Sequence, residues 1–271
     1  MDEIAIQTIL QESTSDIIIG YVSEKDISKF RKISTRISFV NLEGDLKYLD
    51  IQKINSDYQQ YTEDTFYLIV QLKWPLILRT LNEFPQNNVI YSDADVIWCS
   101  DASSDIEMGF QNQKEISIFV QNLSTSPAET SLCMGFVGFR NNEISKQIIG
   151  DAIEMHKANL IINPKSGDDA VITEIYRSNR YEGNIGLLPQ STFPVGNLIN
   201  NFTKRHLYPG LGFDQPIIFH ANYVIGLHRK VLLMYLLLKN IGKHKYIFRK
   251  KNIVRFEIEL KLRRMKSYLN F

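Results

Sequence analysis

The sequence has few cysteines, little net charge and no long apolar run. Only two of its 271 residues are cysteines, Cys99 and Cys133, and each lies in an apolar stretch. This usage favours buried free thiols in a reducing compartment. No segment reaches about 18 consecutive apolar residues, and the acidic N-terminal stretch is too poor in apolar residues for a signal peptide. We therefore expect a soluble cytoplasmic protein without a membrane-spanning helix or a cysteine-based zinc site.

The small net charge hides an asymmetry along the chain. Residues 243–271 carry ten lysines or arginines and two acids, a net charge of +8, so the total of +1 leaves −7 for residues 1–242. Apolar residues are interleaved with the basic ones, as is typical of a helix that lies on an anionic membrane surface. A C-terminal helix packed on its own domain with a solvated basic face explains the pattern equally well. The acidic body argues against nucleic-acid binding.

Short apolar runs alternate with segments of helical periodicity along the acidic body. The predicted strands cover residues 16–22, 36–42, a segment from 88 that carries Asp93 and Asp95, and residues 116–121, 132–140, 185–188 and 216–219. The predicted helices cover residues 24–33, 62–84, 143–160, a segment that begins near 168, and a core helix from 231. Pro75 must kink or divide the second of these helices. The alternation predicts an α/β sheet with the ligand at the carboxyl edge of its strands.

Two aspartates, Asp93 and Asp95, follow the apolar residues 89–91 and precede the apolar residues 96–98. Alternation along a strand would place both carboxylates on one face. Buried carboxylates are costly unless a cation or hydrogen-bond donors satisfy them, and a divalent cation held by them can in turn bind a diphosphate. The pattern therefore indicates a metal site, and acids that cap the following helix are the plainer alternative.

Four segments of the chain resemble the nucleotide-diphospho-sugar transferases, which are glycosyltransferases of GT-A fold with a DxD motif. In chain order the segments are QLKWPLILRTLNEFPQNNVIYSDADVIWCSD, CMGFVGFRNN, GDDAVI and FHANYVIGLHRK. The resemblance covers about residues 60–235. It implies a single α/β catalytic domain, residues 1–242, with a mixed, mostly parallel sheet flanked by helices. Residues 243–271 would then form a basic C-terminal helical tail.

The resemblance also implies roles for the matching residues. Asp93 and Asp95 match the metal-binding aspartates of the family, and His220 matches a histidine that completes the metal shell in related enzymes. The implied cofactor is Mn²⁺ or Mg²⁺, and an imidazole ligand suits Mn²⁺ better. The positions that would bind the nucleotide are Lys73, Asp93, Gly226 and Lys230. The positions that would lie near the transferred sugar are Asp168, Asp169 and Asn222.

The implied activity is transfer of a sugar from a nucleoside-diphosphate sugar, with uridine as the expected base, to a glycan or lipid-linked acceptor. The metal would act as a Lewis acid on the leaving diphosphate, and Lys230 would add a second positive charge. The family implies retention of anomeric configuration. Double displacement would need Asp168 or Asp169 as a nucleophile, whereas a front-face reaction needs none. Asp169 stands where the family usually has glutamine, so its contact with the sugar stays open.

Plainer explanations exist for several of these residues. His220 can be a structural histidine and Gly226 a simple turn. Lys73 can pair with an acid on the sheet, and one acid of the pair 168–169 can stabilise the start of a helix. Two other functions also stay open: a magnesium-dependent phosphohydrolase, which has a similar order of acidic motifs, and a non-catalytic sugar-nucleotide-binding protein of the same fold.

Overall fold

The computed structural model describes residues 1–21, 24–48, 64–124, 130–163, 165–196, 216–222, 224 and 226–269. The helices in these ranges are α1 (Asp2–Glu12), α2 (Glu24–Ile27), α3 (Glu43–Tyr48), α4 (Asp64–Gln71), α5 (Lys73–Glu83), α6 (Ala102–Asn112), α7 (Glu143–Ile162), α8 (Asp168–Arg177), α9 (Leu227–Asn240), α10 (His244–Ile247) and α11 (Lys250–Leu269). The strands are β1 (Ile17–Tyr21), β2 (Ile37–Asn41), β3 (Val89–Ser92), β4 (Val96–Trp98), β5 (Ile118–Asn122), β6 (Leu132–Phe139), β7 (Ile185–Leu188) and β8 (Ile218–His220). The predicted α/β organisation is confirmed.

The central sheet has the strand order β3-β6-β5-β7, and two smaller sheets pair β1 with β2 and β4 with β8. The strand directions differ from the prediction of a mostly parallel sheet. Among the described strands, β3–β6, β5–β6 and β4–β8 are antiparallel, and β1–β2 and β5–β7 are parallel. One reason is the connection from β5 to β6, which contains no described helix, because neighbouring strands joined without a crossover run antiparallel.

Helices cover both faces of the central sheet. Ile118 and Val120 on β5 belong to the apolar cluster that includes residues of α5, α7 and α8. Phe119, between them in sequence, packs instead with Ile106 and Phe110 of α6. Successive side chains of a strand point to opposite faces, so this alternation gives the sheet two apolar faces. The sheet is therefore buried on both sides, and its carboxyl-end loops are free to build a site.

The predicted long helix before β3 is divided, as its proline requires. The helix breaks at Leu72, between α4 and α5, and Pro75 lies in the first turn of α5. Proline is tolerated there because the first amides of a helix have no partner within the helix. The break places Lys73 at the very start of α5. Thr62, the first residue of the predicted helix, lies outside the described residues.

The C-terminal residues form helices that pack on the body. The core helix predicted from residue 231 is confirmed, because α9 buries Leu232, Tyr235 and other apolar side chains. Phe256 of α11 is buried in the same cluster, and its ring centroid lies 5.0 Å from that of Tyr235. Among the described helices, none is long and apolar enough to cross a membrane.

Candidate metal and nucleotide site

Asp93 and Asp95 lie in the turn between β3 and β4. The N–H of Asp93 donates to the carbonyl oxygen of Gly135 at 2.8 Å, which joins the end of β3 to β6. The N–H of Val96 donates back to the carbonyl oxygen of Asp93 at 3.1 Å. The predicted cause of their common orientation, alternation along a strand, is therefore wrong, because neither residue lies in a strand. The turn brings the two carboxylates together.

Strand β8 brings His220 to the two aspartates. It pairs antiparallel with β4, so that His220 lies opposite Val96, and the N–H of Ala221 donates to the carbonyl oxygen of Asp95 at 2.9 Å. Nε2 of His220 lies 3.2 Å from Oδ1 of Asp95 and 4.0 Å from Oδ2 of Asp93. One possible ligand atom from each of these three residues lies within 4.8 Å of the others. The three predicted metal ligands thus form one cluster.

Gln121 on β5 orients the imidazole of His220. Nε2 of Gln121 donates to the carbonyl oxygen of Phe193 at 3.2 Å, which leaves Oε1 facing Nδ1 of His220 at 3.1 Å. Because an amide oxygen only accepts, Nδ1 carries a proton. The other nitrogen, Nε2, faces the aspartates and is the ring atom available to a cation. Both side chains are buried, so this orientation is well protected from water.

Gly135 on β6 provides the space that the imidazole occupies. A Cβ atom at this position would lie 1.9 Å from Cε1 of His220, far closer than two carbon atoms can approach. Cys133, two residues earlier, places Sγ 3.5 Å from Nδ1 of the same ring. Glycine is therefore required at 135 by the position of His220.

Two lysines pair with the acids of the cluster. Nζ of Lys73 lies 3.0 Å from Oδ1 of Asp93 and 2.6 Å from Oδ2 of Asp168. Lys230, in the first turn of α9, forms an ion pair with Oδ2 of Asp95. These contacts agree with the plainer explanation of Lys73, in which the lysine simply forms ion pairs with acidic side chains. Its contact with a nucleotide stays a prediction.

The surroundings shift the pKa values of Asp93 and Asp95 in opposite directions. Burial opposes ionisation of both. At Asp95 the contacts with His220 and Lys230 outweigh burial and hold the pKa well below its usual range. At Asp93 burial, assisted by the negative charge of Asp95, prevails and raises the pKa. A cation bound here would meet one firmly ionised carboxylate and would make the second easier to ionise.

Asp168 and Asp169 open α8 and contact groups outside that helix. Asp168 pairs with Lys73, and Oδ1 of Asp169 accepts a hydrogen bond from the N–H of Met134 on β6 at 2.7 Å. Burial and the neighbouring Asp168 raise the pKa of Asp169 to about 7. These contacts join the start of α8 to α5 and β6, and both acids also lie in the first turn of α8, where the plainer explanation places them.

The surroundings of Asn222 and the backbone conformation of Gly226, the two remaining predicted site residues, suit structural roles. Oδ1 of Asn222 accepts from the N–H of Gly196 at 2.6 Å, and Nδ2 lies 3.5 Å from Sγ of Cys133. Gly226 precedes α9 with φ of 95°, a conformation that favours glycine. The turn explanation for Gly226 therefore accounts for its conformation, and a role in binding stays a prediction.

A surface cavity of about 510 Å³ opens on the α8 side of Asp169. Its wall consists of side chains from the ends of β5 and β6 and from one face of α8: Leu123, Ser131, Asp169, Ala170, Thr173, Glu174 and Arg177. Asp169, whose pKa is raised to about 7, is therefore one of the side chains that line this cavity.

The cluster fits a divalent cation. It offers two carboxylates and one imidazole, and Asp95 and His220 are buried. Hard divalent cations prefer oxygen ligands, and Mn²⁺ also accepts imidazole. The residues that could hold the ion are therefore Asp93, Asp95 and His220, and a nucleotide diphosphate could complete its coordination.

The fold is that of the GT-A glycosyltransferases. Similar solved structures include the galactosyltransferase LgtC with donor and acceptor sugar analogues (10% identity, 89% of this chain and 90% of that chain, TM-score 0.56). Mouse xyloside xylosyltransferase 1 is also similar (11%, 83% and 92%, TM-score 0.50). The glycosyltransferase GlyE of Streptococcus pneumoniae TIGR4 matches 98% of this chain at 13% identity and a TM-score of 0.51, and the match spans 60% of GlyE.

Residues 37–234 match the family profile of the nucleotide-diphospho-sugar transferases. The chain therefore belongs to this family, and it is an enzyme of the glycosyltransferase class. No curated protein matches the chain. The predicted family and enzyme class are confirmed.

Sequence reasoning missed the residues that support the cluster. Gln121 orients His220, Gly135 makes room for it, and the hydroxyl of Tyr91 donates to Oδ1 of Asp93 at 2.6 Å. A glutamine and a glycine inside apolar strand segments were the available signals, because both are unfavourable there without a specific reason. Tyr91 gave no such signal, since tyrosine is common in strands.

Proposed function

We propose that this enzyme transfers a sugar from a uridine-diphosphate sugar to a hydroxyl group of a glycan or lipid-linked acceptor, with Mn²⁺ or Mg²⁺ bound by Asp93, Asp95 and His220. The observation that carries the proposal is the convergence of these three side chains, with ligand atoms within 4.8 Å of one another, in a chain of this family. Asp93 and Asp95 lie in one turn and His220 lies at the end of β8, so the fold brings two distant segments of the chain together at this cluster.

The chain's own charges suit the departure of a diphosphate. The bound cation would supply Lewis-acid stabilisation of the leaving phosphate oxygens. Lys230, which is paired with Asp95, would add a second positive charge on the diphosphate. Lys73 holds Asp93 and Asp168 together and thereby keeps the nucleotide side and the sugar side of the site at a fixed separation.

The acids near the sugar position favour retention by a front-face reaction. Asp168 is neutralised by its ion pair with Lys73, and Asp169, with its pKa raised to about 7, holds its proton more tightly than a free carboxyl. Both properties weaken a carboxylate nucleophile. In the front-face reaction the leaving diphosphate takes the acceptor's proton, and Asp169 with Asn222 would orient the acceptor hydroxyl. The cavity beside Asp169 suits the acceptor.

The decisive experiment measures release of nucleoside diphosphate from a panel of nucleotide sugars in the presence of Mn²⁺. The proposal expects release from a uridine-diphosphate sugar that stops in excess chelator and in Asp95→Asn. A matched control is Asp101→Asn, since Asp101 lies in the same region but caps α6 by accepting from Ser103 and Ser104. That variant should retain the activity.

The two other functions are distinguished when phosphate monoesters are added to the panel and binding of nucleotide sugars is measured beside turnover. A phosphohydrolase would release inorganic phosphate from phosphate monoesters, and a binding protein would retain the nucleotide sugar without turnover. Either result would contradict the proposal. Anomeric configuration of the sugar in the product, followed by NMR, would distinguish retention from inversion.

We also propose that α11 rests on an anionic membrane surface, where a lipid-linked acceptor is available. Val254, Ile258 and Leu262 are 52%, 55% and 53% exposed, and their spacing of four residues aligns them on one side of the helix. Lys251 and Arg255 are exposed beside them. A surface with both apolar and basic side chains suits anionic lipid, each basic residue contributing about 1 kcal/mol.

Binding to vesicles tests this second proposal without truncation, which would remove Phe256 from the core. Ile258→Glu should abolish sedimentation with vesicles of phosphatidylcholine and phosphatidylglycerol, and salt should weaken binding of the wild type. The matched control is Ile161→Glu, because Ile161 is 85% exposed on a different helix, α7. Equal binding by both variants would contradict a role for α11.

A further inference from the structure

A buried hydrogen-bonded chain runs beside the candidate site through Trp74, His156 and Ser166. Nε1 of Trp74 donates to Nδ1 of His156 at 3.0 Å. Nε2 of His156 lies 3.0 Å from the carbonyl oxygen of Ser166. His156 is 0% exposed and Trp74 is 1% exposed, so water cannot replace either partner. The chain joins α5, α7 and the segment that leads into α8.

The two partners determine the state of the histidine. A carbonyl oxygen only accepts, so Nε2 carries the proton, and the indole N–H only donates, so Nδ1 carries the lone pair. The ring is therefore neutral, and burial, which lowers the pKa of His156, acts in the same direction. His156 lies on the buried face of α7 together with Ile149, Ala152 and Ile153. A polar ring at such a position needs both of its hydrogen bonds.

Two of the parts that the chain joins, α5 and the start of α8, also meet at the acids of the site. Trp74 is preceded in α5 by Lys73, whose Nζ lies 2.6 Å from Oδ2 of Asp168. Ser166 is separated from Asp168 only by Gly167, which begins α8 without a side-chain cap. One turn of α5 therefore reaches α8 twice, directly through the lysine and indirectly through Trp74 and His156. The start of α8 is held on both sides of Gly167.

We propose that His156 is a positioning residue, which fixes the first turn of α8 and thereby the locations of Asp168 and Asp169 relative to the metal cluster. It touches no substrate in this account and acts through the Ser166 carbonyl. The part of the inference that concerns transfer rests on the proposed function. Misplacing a reacting group by about 1 Å can cost about 100-fold in rate, so a loosened α8 should appear in turnover before it appears in binding.

The experiment compares His156→Leu, which keeps an apolar volume and removes both hydrogen bonds, with His156→Gln, whose amide can still donate to Ser166. Trp74→Phe removes only the hydrogen bond from Trp74 to His156, and it replaces His156→Leu in the test if the leucine variant folds poorly. The matched control is Ser145→Ala, which deletes another buried hydrogen bond of α7, from Oγ of Ser145 to the carbonyl oxygen of Ser117 at 2.8 Å. Two measurements are made on each full-length variant: amide hydrogen exchange over residues 165–177, and kcat, donor KM and Mn²⁺ affinity.

In His156→Leu we expect faster exchange at the start of α8 and at least about tenfold lower kcat, with donor KM and Mn²⁺ affinity within about twofold of wild type. His156→Gln should recover part of both losses, and Ser145→Ala should lower thermal stability alone. Wild-type exchange in His156→Leu, or faster exchange with wild-type kcat per folded molecule, would overturn the proposal. If the wild type shows no turnover, the proposed function fails, and hydrogen exchange still decides whether His156 holds α8.

Discussion

Nδ1 of His220 lies 3.1 Å from Oε1 of Gln121, a residue 99 positions earlier in the chain. The contact joins β8 to β5 and directs Nε2 of the imidazole toward Asp93 and Asp95. Side chains that orient a metal-binding histidine in this way typically affect metal affinity by about 10–100-fold. The metal cluster therefore depends on a residue that offers no ligand atom itself.

The first prediction follows from this contact. Gln121→Leu should weaken Mn²⁺ binding by about 10–100-fold, because the imidazole loses the acceptor that holds its Nδ1 proton. Gln121→Glu keeps an acceptor at the same place and should retain most of the affinity. Isothermal titration of Mn²⁺ measures both. Equal affinities in the leucine variant and the wild type would show that Gln121 does not orient His220.

A second prediction concerns the space beside the imidazole. Gly135→Ala should displace His220 and reduce Mn²⁺ affinity, because the new Cβ would lie 1.9 Å from the ring. The matched control is Gly138→Ala on the same strand, where the new Cβ would lie 2.7 Å from Cγ2 of Ile106. That variant should lose thermal stability and keep Mn²⁺ affinity. A Gly135→Ala protein with full affinity would place His220 outside the metal site.

A third prediction uses the raised pKa of Asp169. This pKa is about 7 against an ordinary value of 3.8, so the folded state binds the proton more tightly than the unfolded state. The resulting stability is complete below about pH 4 and is lost as the pH rises through about 7. Asp169→Asn keeps the acceptor for Met134 and removes this dependence.

Chemical denaturation in the presence of chelator measures the effect. The stability of Asp169→Asn relative to the wild type should increase between about pH 4 and about pH 8, since only the wild type has to ionise the buried carboxyl at position 169. A difference that stays constant over this range would mean that Asp169 has an ordinary pKa in the folded protein.

The sequence predicted the elements of the fold better than their pairing. Strands such as β7, predicted and found at residues 185–188, follow from local apolar patterns. The direction of β6 relative to β3 and β5 does not, because it depends on how distant segments meet. The same holds for α1, which was not predicted as a helix and packs on β4 through the hydroxyl of Thr8, an acceptor for the N–H of Trp98 at 3.1 Å.

The site divides in a similar way. Asp93 and Asp95 were named from the apolar residues around them and from the family motif, whereas His220 was named from the family motif alone. The residues that position the metal ligands and the acids were not named from the sequence. An acceptor such as Gln121 or a histidine such as His156 is recognised only when its hydrogen-bond partners are known. Asp95 illustrates both sides: its identity comes from the motif, and its ion pair with Lys230 comes only from the fold.

The most direct test of the account is titration of uridine diphosphate into the protein with and without Mn²⁺. The central claim is that Asp93, Asp95 and His220 bind a cation that in turn binds the donor's diphosphate. We expect binding that requires Mn²⁺ and falls by at least about 100-fold in Asp95→Ala, corresponding to about 3 kcal/mol, while Asp101→Asn binds like the wild type. Binding of equal strength in excess chelator, or in Asp95→Ala, would contradict the claim.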